Sequence, residues 1–304
     1  MYCRLILVIL GGLPGLVYGQ QDPQYTHYMY NHSAINPAYA GSQQGIELFG
    51  LYRTQWIGLD GAPKTATLAM STPLGNSGLG LGVNFTNDHL GVMDENRLAI
   101  DLSYTIDLNY QYKLAFGVKG TGSLLDVTYS ELTIYDGTDP VASHDIKNSF
   151  TPNLGAGLFL YSNKAYVGVS APNLFTQSRY DDNELTTLRQ KLHLYVTGGY
   201  VFDLNDNLKF KPAAMVKMVE GAPLQVDVSA NFMWMEKFTL GAAYRWDAAV
   251  SGLVGFQATD AIMIGYSYDA DTTKLAHYGS GSHEIFMRFN LFNGFKRLTA
   301  PRFF

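Results

Sequence analysis

Apolar and polar residues alternate along most of this chain. Between 79 and 86, Leu79, Leu81, Val83 and Phe85 share one face, and Gly80, Gly82, Asn84 and Thr86 share the other. Leu98, Ile100, Leu102, Tyr104 and Ile106 oppose Arg97, Ala99, Asp101, Ser103 and Thr105. Further on, Leu224, Val226, Val228, Ala230 and Phe232 oppose Gln225, Asp227, Ser229 and Asn231. A period of two is the mark of β-strands with unlike faces. It predicts about fourteen strands, over 45–56, 64–72, 78–87, 96–106, 111–123, 152–161, 165–171, 191–202, 208–219, 223–233, 237–245, 249–257, 261–269 and 283–291. A soluble sandwich alternates as well, so length and punctuation decide between the two. Many segments approach the ~9–11 residues that a tilted strand needs to cross hydrocarbon, against ~5–6 for a globular strand. Connections after the even strands are short: 73–77, 107–110, 162–164, 203–207, 234–236 and 258–260. The long ones, 124–151, 172–190 and 270–282, all follow odd strands. This parity predicts an all-β fold, a transmembrane antiparallel β-barrel with periplasmic turns, longer outside loops and both termini periplasmic. Closure also removes the sheet edges that lipid does not tolerate.

Composition sharpens this picture. Only 15% of the 304 residues are charged, where a soluble domain has about 25%. Gly (31), Tyr (21) and Phe (17) take up the difference. Trp56, Tyr104, Tyr161, Tyr200, Trp234, Tyr244, Trp246 and Tyr268 fall near segment ends, as interfacial girdles require. A net charge of -5 lacks the basic footprint of a nucleic-acid binder. One cysteine excludes a disulfide framework and a thiolate zinc cluster. Arg4 followed by the apolar run Leu5–Leu16 reads as a secretory signal peptide over 1–19, cleaved before Gln20. That run is well short of the ~20 residues of a membrane-spanning helix.

Three segments result: a signal peptide at 1–19, an N-terminal plug or docking segment at 20–44, and an outer-membrane β-barrel at 45–304. The inward positions carry Gly80, Gly82, Gly117, Gly155, Gly157, Gly168, Gly199, Gly241 and Gly265. Glycine inside a strand marks close backbone approach or bending, so the lumen is expected to be partly filled. Gln20–Gln44 is the candidate filler, because it lacks alternation yet contains Tyr25, Tyr28, Tyr30, Ile35, Pro37 and Tyr39. A periplasmic docking tail is the alternative. Asn36 and Pro37 suit a turn, and Gly41 suits a positive φ. Arg97, Asp101, Lys119, Lys217, Asp227, Arg245, Glu284 and Arg288 are expected to face inward, wetting the wall or seating a plug through ion pairs.

Little of the sequence suggests catalysis. The histidines form no pair at metal-ligand spacing beyond the loose His27 and His32. Asp88 with Asp94, and Asp136 with Asp139, are expected in outside loops as solvated charge, with adventitious calcium as the other reading. No Gly-x-Ser-x-Gly elbow is present. Gly78, Gly80 and Gly82 on a strand are not a phosphate loop. Nothing in the sequence makes His193, Asp227 and Ser229 neighbours. No enzyme activity, metal or cofactor is expected.

Specific strings narrow the reading. Gln21-Asp22-Pro23-Gln24-Tyr25-Thr26-His27-Tyr28-Met29-Tyr30, followed by Asn36-Pro37-Ala38-Tyr39-Ala40-Gly41-Ser42, resembles the mature N-terminus of the PorP/SprF family of type IX secretion outer-membrane proteins. Tyr52-Arg53-Thr54-Gln55-Trp56, Gly61-Ala62-Pro63, Asn87-Asp88 with Gly91, Ser170-Ala171-Pro172-Asn173-Leu174 and Gly281-Ser282-His283-Glu284-Ile285 look like its later landmarks. The resemblance implies a part in the export or surface anchoring of a large adhesin or gliding-motility protein, through recognition of its C-terminal sorting domain. It implies as partners that sorting domain, other type IX components and a periplasmic peptidoglycan-binding lipoprotein, in outer-membrane lipid. It supplies no catalytic residues. Tyr28, Asn36, Pro37, Tyr39, Gly41, Asp88, His283 and Glu284 are the signature positions proposed to dock a partner. The rival reading is a passive porin or hydrophobic-solute transporter.

Overall fold

The computed structural model describes residues 23–131, 145–175, 191–277 and 279–291. The strands are β1 (Ile46–Thr54), β2 (Lys64–Pro73), β3 (Leu79–Leu90), β4 (Met93–Asp107), β5 (Lys113–Val127), β6 (Ile146–Tyr161), β7 (Ala165–Ala171), β8 (His193–Tyr200), β9 (Phe202–Asn205), β10 (Leu208–Val219), β11 (Gln225–Trp234), β12 (Phe238–Arg245), β13 (Ala249–Gln257), β14 (Ile262–Asp271) and β15 (Ser282–Leu291). A one-turn helix α1 (His32–Ile35) and a 3₁₀ turn at Pro37–Tyr39 precede β1. Pairing is antiparallel throughout, and β15 returns to β1 from Ile46↔Leu291 to Thr54↔His283. β10 pairs with β11 on one side and with both β8 and β9 on the other. The result is a closed 14-strand barrel plus one extra strand.

The extra strand comes from a break in the segment expected at 191–202. Gly199 pairs with Ala213 and Phe202 with Phe210, which leaves Pro212 beside the gap. Proline has no N–H to give the ladder, and Val201 donates its own N–H to the Lys164 carbonyl at 2.8 Å. Two loops also differ from expectation. β3 and β4 run on to a two-residue turn at Gly91 and Val92, where Gly91 has φ +60°. Asp88 and Asp94 therefore stand on strands, and Asp94 pairs with His89 at 2.8 Å. β5 and β6 likewise extend by several residues into the segment expected as a loop at 124–151. Asp136 and Asp139 lie outside the described residues, as does the signal peptide.

The alternation becomes two surfaces. Leu98, Ile100, Leu102 and Tyr104 are each about half exposed, whereas Asp101 and Ser103 between them are buried. An apolar belt of this kind runs round the whole barrel, far larger than the patches soluble monomers expose, and it is the lipid face. Tyr104, Tyr200, Trp234, Tyr244, Trp246 and Tyr268 point outward. Tyr161 does not: it shares the face of Phe159 and is buried inside with Tyr166. No helix among the described residues is long and apolar enough to cross a membrane; the strands do so.

Candidate functional site: the luminal plug

Residues 23–43 occupy the barrel interior, most of them buried. Leaving β1 backwards at the short-turn end, the chain climbs the lumen. Tyr39 meets Glu47 near the start of β1, Asn36 meets Leu158, and Thr26 meets Arg53 near the end of β1. Gln24 reaches Gln225, the first residue of β11, at the long-loop end. Pro23 and Leu291 therefore lie toward opposite ends of the barrel.

The upper half is gripped by charge. Arg53, Asp269 and Glu284 come from β1, β14 and β15, at the seam where the barrel closes, and all three side chains are buried. Arg53 Nη2 lies 2.7 Å from Asp269 Oδ2, and Nη1 lies 3.1 Å from Glu284 Oε2. Glu284 accepts the backbone N–H groups of Thr26 (3.0 Å) and His27 (2.8 Å), and also meets His27 Nδ1 at 2.7 Å. A carboxylate only accepts, so Nδ1 carries the proton. Thr26 Oγ1 donates to Asp269 at 2.6 Å and accepts from Arg53 at 2.9 Å. Rings pack beneath. Phe286 meets His27 edge-on at 4.6 Å and stacks on Tyr30 at 4.9 Å, while Lys211 lies 5.3 Å from the Tyr30 centroid. Tyr25 shares a 3.1 Å hydrogen bond with Thr67, and Tyr28 points at Ser229.

The lower half is gripped by backbone. Asn36 takes the extended conformation expected before proline (φ -135°, ψ 110°). Its Oδ1 accepts from Ala38 N–H at 3.0 Å, capping the 3₁₀ turn, and its Nδ2 donates to the Leu158 carbonyl at 3.0 Å. The facing wall has no side chains to spare. A Cβ on Gly117 would fall on the Ala38 backbone nitrogen, one on Gly157 on Asn36 Oδ1, and one on Gly80 on the Ala40 carbonyl. Gly41 itself has φ +67°, and a Cβ there would lie 2.6 Å from Gly80 Cα. Hydroxyls fasten the contact: Ser103 donates to Ala40 O at 2.6 Å and Ser170 to Ile35 O at 2.7 Å, while Ser71 accepts from Gly41 N–H at 2.9 Å. Tyr39 sits among His32 and Phe159 and donates to Glu47 at 3.2 Å.

Of the signature residues, Tyr28, Asn36, Pro37, Tyr39, Gly41 and Glu284 converge on this plug and its wall. Asp88 and His283 do not. Asp88, on the β3–β4 hairpin, accepts from Thr65 of β2 at 2.5 Å. His283 is turned to the outer face, 2.6 Å from the Tyr266 hydroxyl, because adjacent strand residues point opposite ways. Thr26, His27, Arg53 and Asp269 were not singled out. Arg53 shares its face with Glu47, Phe49 and Leu51, and that mixture hides it; a buried charge at even spacing from Glu47 was the available signal. His193, Asp227 and Ser229 are not assembled as a triad. His193 meets the Lys191 carbonyl, whereas Asp227 pairs with Arg245 at 2.6 Å. Among the described residues no group of three or more His, Cys, Asp or Glu is arranged to hold a metal ion.

Solved structures that resemble this one are outer-membrane proteins. "CymD monoaromatic hydrocarbon channel" aligns over 91% of this chain and 95% of its own with a TM-score of 0.51 at 11% identity. The Acinetobacter baumannii outer membrane protein Omp33 aligns over 83% of this chain and 100% of its own, with a TM-score of 0.43 at 12% identity. At such identities the CymD likeness speaks for the fold alone. No curated protein matches the sequence significantly. The family model described as "Type IX secretion system membrane protein PorP/SprF" matches residues 17–289. This chain, an outer-membrane barrel closed around its own N-terminal segment, belongs to the PorP/SprF family of type IX secretion system membrane proteins.

Proposed function

We propose that this protein is a plugged adaptor of type IX secretion that recognises the C-terminal sorting domain of a large adhesin or gliding-motility protein and supports its export or anchoring at the surface. Other type IX components and a periplasmic peptidoglycan-binding lipoprotein are its neighbours in this reading. The short turns and Leu291 face the periplasm, and the long-loop mouth with Pro23 faces outward. The chain catalyses no reaction. One observation carries the proposal: residues 25–40 are almost wholly buried in the lumen, in a barrel whose family serves secretion. A passive porin or hydrophobic-solute transporter needs a path that this segment fills.

Deleting residues 24–42 tests the reading, because it removes no strand. The variant is expected to insert as a heat-modifiable barrel, to conduct ions in a planar bilayer where the intact protein is nearly silent, and to lose cargo display on the cell surface. Full display with unchanged conductance overturns the proposal. High conductance of the intact protein favours the transporter.

A further inference from the structure

The plug does not fill the lumen evenly. It leans on the seam of β14, β15 and β1 and on the glycine wall of β3–β7, leaving a cavity of about 60 Å³ toward the long-loop mouth. Pro23 and Gln24 form part of its lining, so the first described residues of the chain stand at its rim. Among the described residues, its charged lining consists of Arg97, Lys119, Lys217 and Arg245, from β4, β5, β10 and β12; no carboxylate is exposed to it. The acids stand behind the cations. Glu95 holds Arg97 at 3.2 Å, Asp101 holds Lys119 at 3.0 Å, and Asp227 holds Arg245 at 2.6 Å. Lys217 lies 5.8 Å from the Tyr195 ring centroid. Four strands thus turn the N–H groups of cations toward one small space walled by low-dielectric protein, while the carboxylates that offset three of those charges stand outside its lining, so the face each pair presents to the cavity is the positive one.

We propose that this vestibule is a carboxylate-binding site that takes one acidic side chain, or the terminal carboxylate, of an extended peptide arriving from the long-loop mouth. Size limits the occupant. At ~10–15 Å³ per water the cavity holds about four to six waters, enough for a carboxylate head and its nearest hydration but not for a folded element. Chemistry selects it. The same guanidinium and ammonium groups already hold carboxylates from behind, and charge-assisted hydrogen bonds of this kind are the strong ones. Gln24, Gln225 and Asn84 offer amides to a peptide backbone beside the head group, and Tyr25 and Tyr28 give a flat wall. The identity of the peptide as cargo rests on the secretion reading, whereas the binding itself does not.

The test uses the mature full-length protein in detergent micelles. The probe is a fluorescein-labelled decapeptide of Gly, Ser and Tyr with a single central Glu and an amidated C-terminus. Its Gln counterpart and inorganic phosphate are the comparators, and anisotropy is the readout. The Glu peptide is expected to bind at least about tenfold tighter than the Gln peptide at low ionic strength, equivalent to about 1.4 kcal/mol. Salt should erase that preference. Arg97→Gln with Lys217→Gln should abolish it while heat-modifiability is kept. If the double variant does not fold, Lys217→Met alone carries the test and should reduce the preference several-fold. Equal binding of the two peptides, or a preference untouched by these substitutions, overturns the site. Binding of inorganic phosphate, read by calorimetry, while neither peptide binds overturns the peptide assignment. Because no cargo or secretion partner is present in this assay, full cargo display in cells by the double variant whose peptide binding is abolished counts against the secretion reading alone and leaves the site standing.

Discussion

Thr26–His27 and Asn36–Gly41 lie in the same lumen on the same short segment, yet they are held by opposite means. The first pair is clasped by long charged side chains that reach in from β1, β14 and β15. The second stretch lies directly on sheet backbone that glycines have cleared. A charged clasp is expensive to desolvate and severe to break. A backbone contact depends on shape and has little electrostatic strength to lose. The two halves should therefore fail separately, and differently.

The largest effect is expected for Glu284→Ala. It leaves Arg53 with one carboxylate and orphans two backbone N–H groups, costing about 3–5 kcal/mol in denaturant unfolding followed by tryptophan fluorescence. Limited proteolysis should open the segment around residues 24–30 while 36–41 stays protected. Simultaneous release of both stretches would show that they form one unit. Next is Val228→Arg, on the lipid face of the strand whose Asp227 and Ser229 look inward. Near the midplane it should cost ~2–4 kcal/mol yet leave the proteolytic pattern of the plug unchanged; a loosened plug would mean that the face assignment of β11 is inverted. Gly117→Val, which drives a side chain onto Ala38, should cost about 1–3 kcal/mol and expose 36–41 first. Its control is Gly120→Val, whose added Cβ has nothing within 4 Å and should be near neutral. Smallest is Asn36→Ala, at about 1 kcal/mol for the lost cap. Asn36→Ser keeps a capping acceptor for Ala38 N–H and lacks the reach to Leu158, so it should fall between Ala and the parent.

The barrel was legible because its physics is local. Lipid on one side and a wet, packed lumen on the other force a period of two, and Leu98–Ile106 displays it without help from the rest of the chain. The lower plug was legible for a related reason: glycines at Gly80, Gly117 and Gly157 are unfavourable in strands unless another backbone needs the room. The upper clasp was not. Glu284 was singled out through a string in which its neighbour His283 proved to face outward, and Arg53 was quoted without being recognised as its partner. Nothing local to β1 tells that a residue near 53 meets one near 284, since that contact exists only once the sheet has closed. The break at Val201 was missed because Pro212, its cause, sits on a different strand, and Tyr161 because an aromatic near a strand end suits either face until register is known.

The clasp also constrains the order in which the molecule can be built. Thr26 N–H and Glu284 are 258 residues apart in sequence, and Asp269 and Glu284 belong to the last two strands. Thr26 and His27 therefore lack their charged clasp until the hairpin that carries Asp269 and Glu284 is in place. Contacts of such separation form late, after the entropy of closing the long loop has been met. Sealing the wall and seating the segment inside it are thus one terminal event of assembly. A barrel halted one strand short would present an open lumen and a loose, tyrosine-rich N-terminal segment together, a combination by which an unfinished molecule is distinguishable from a finished one.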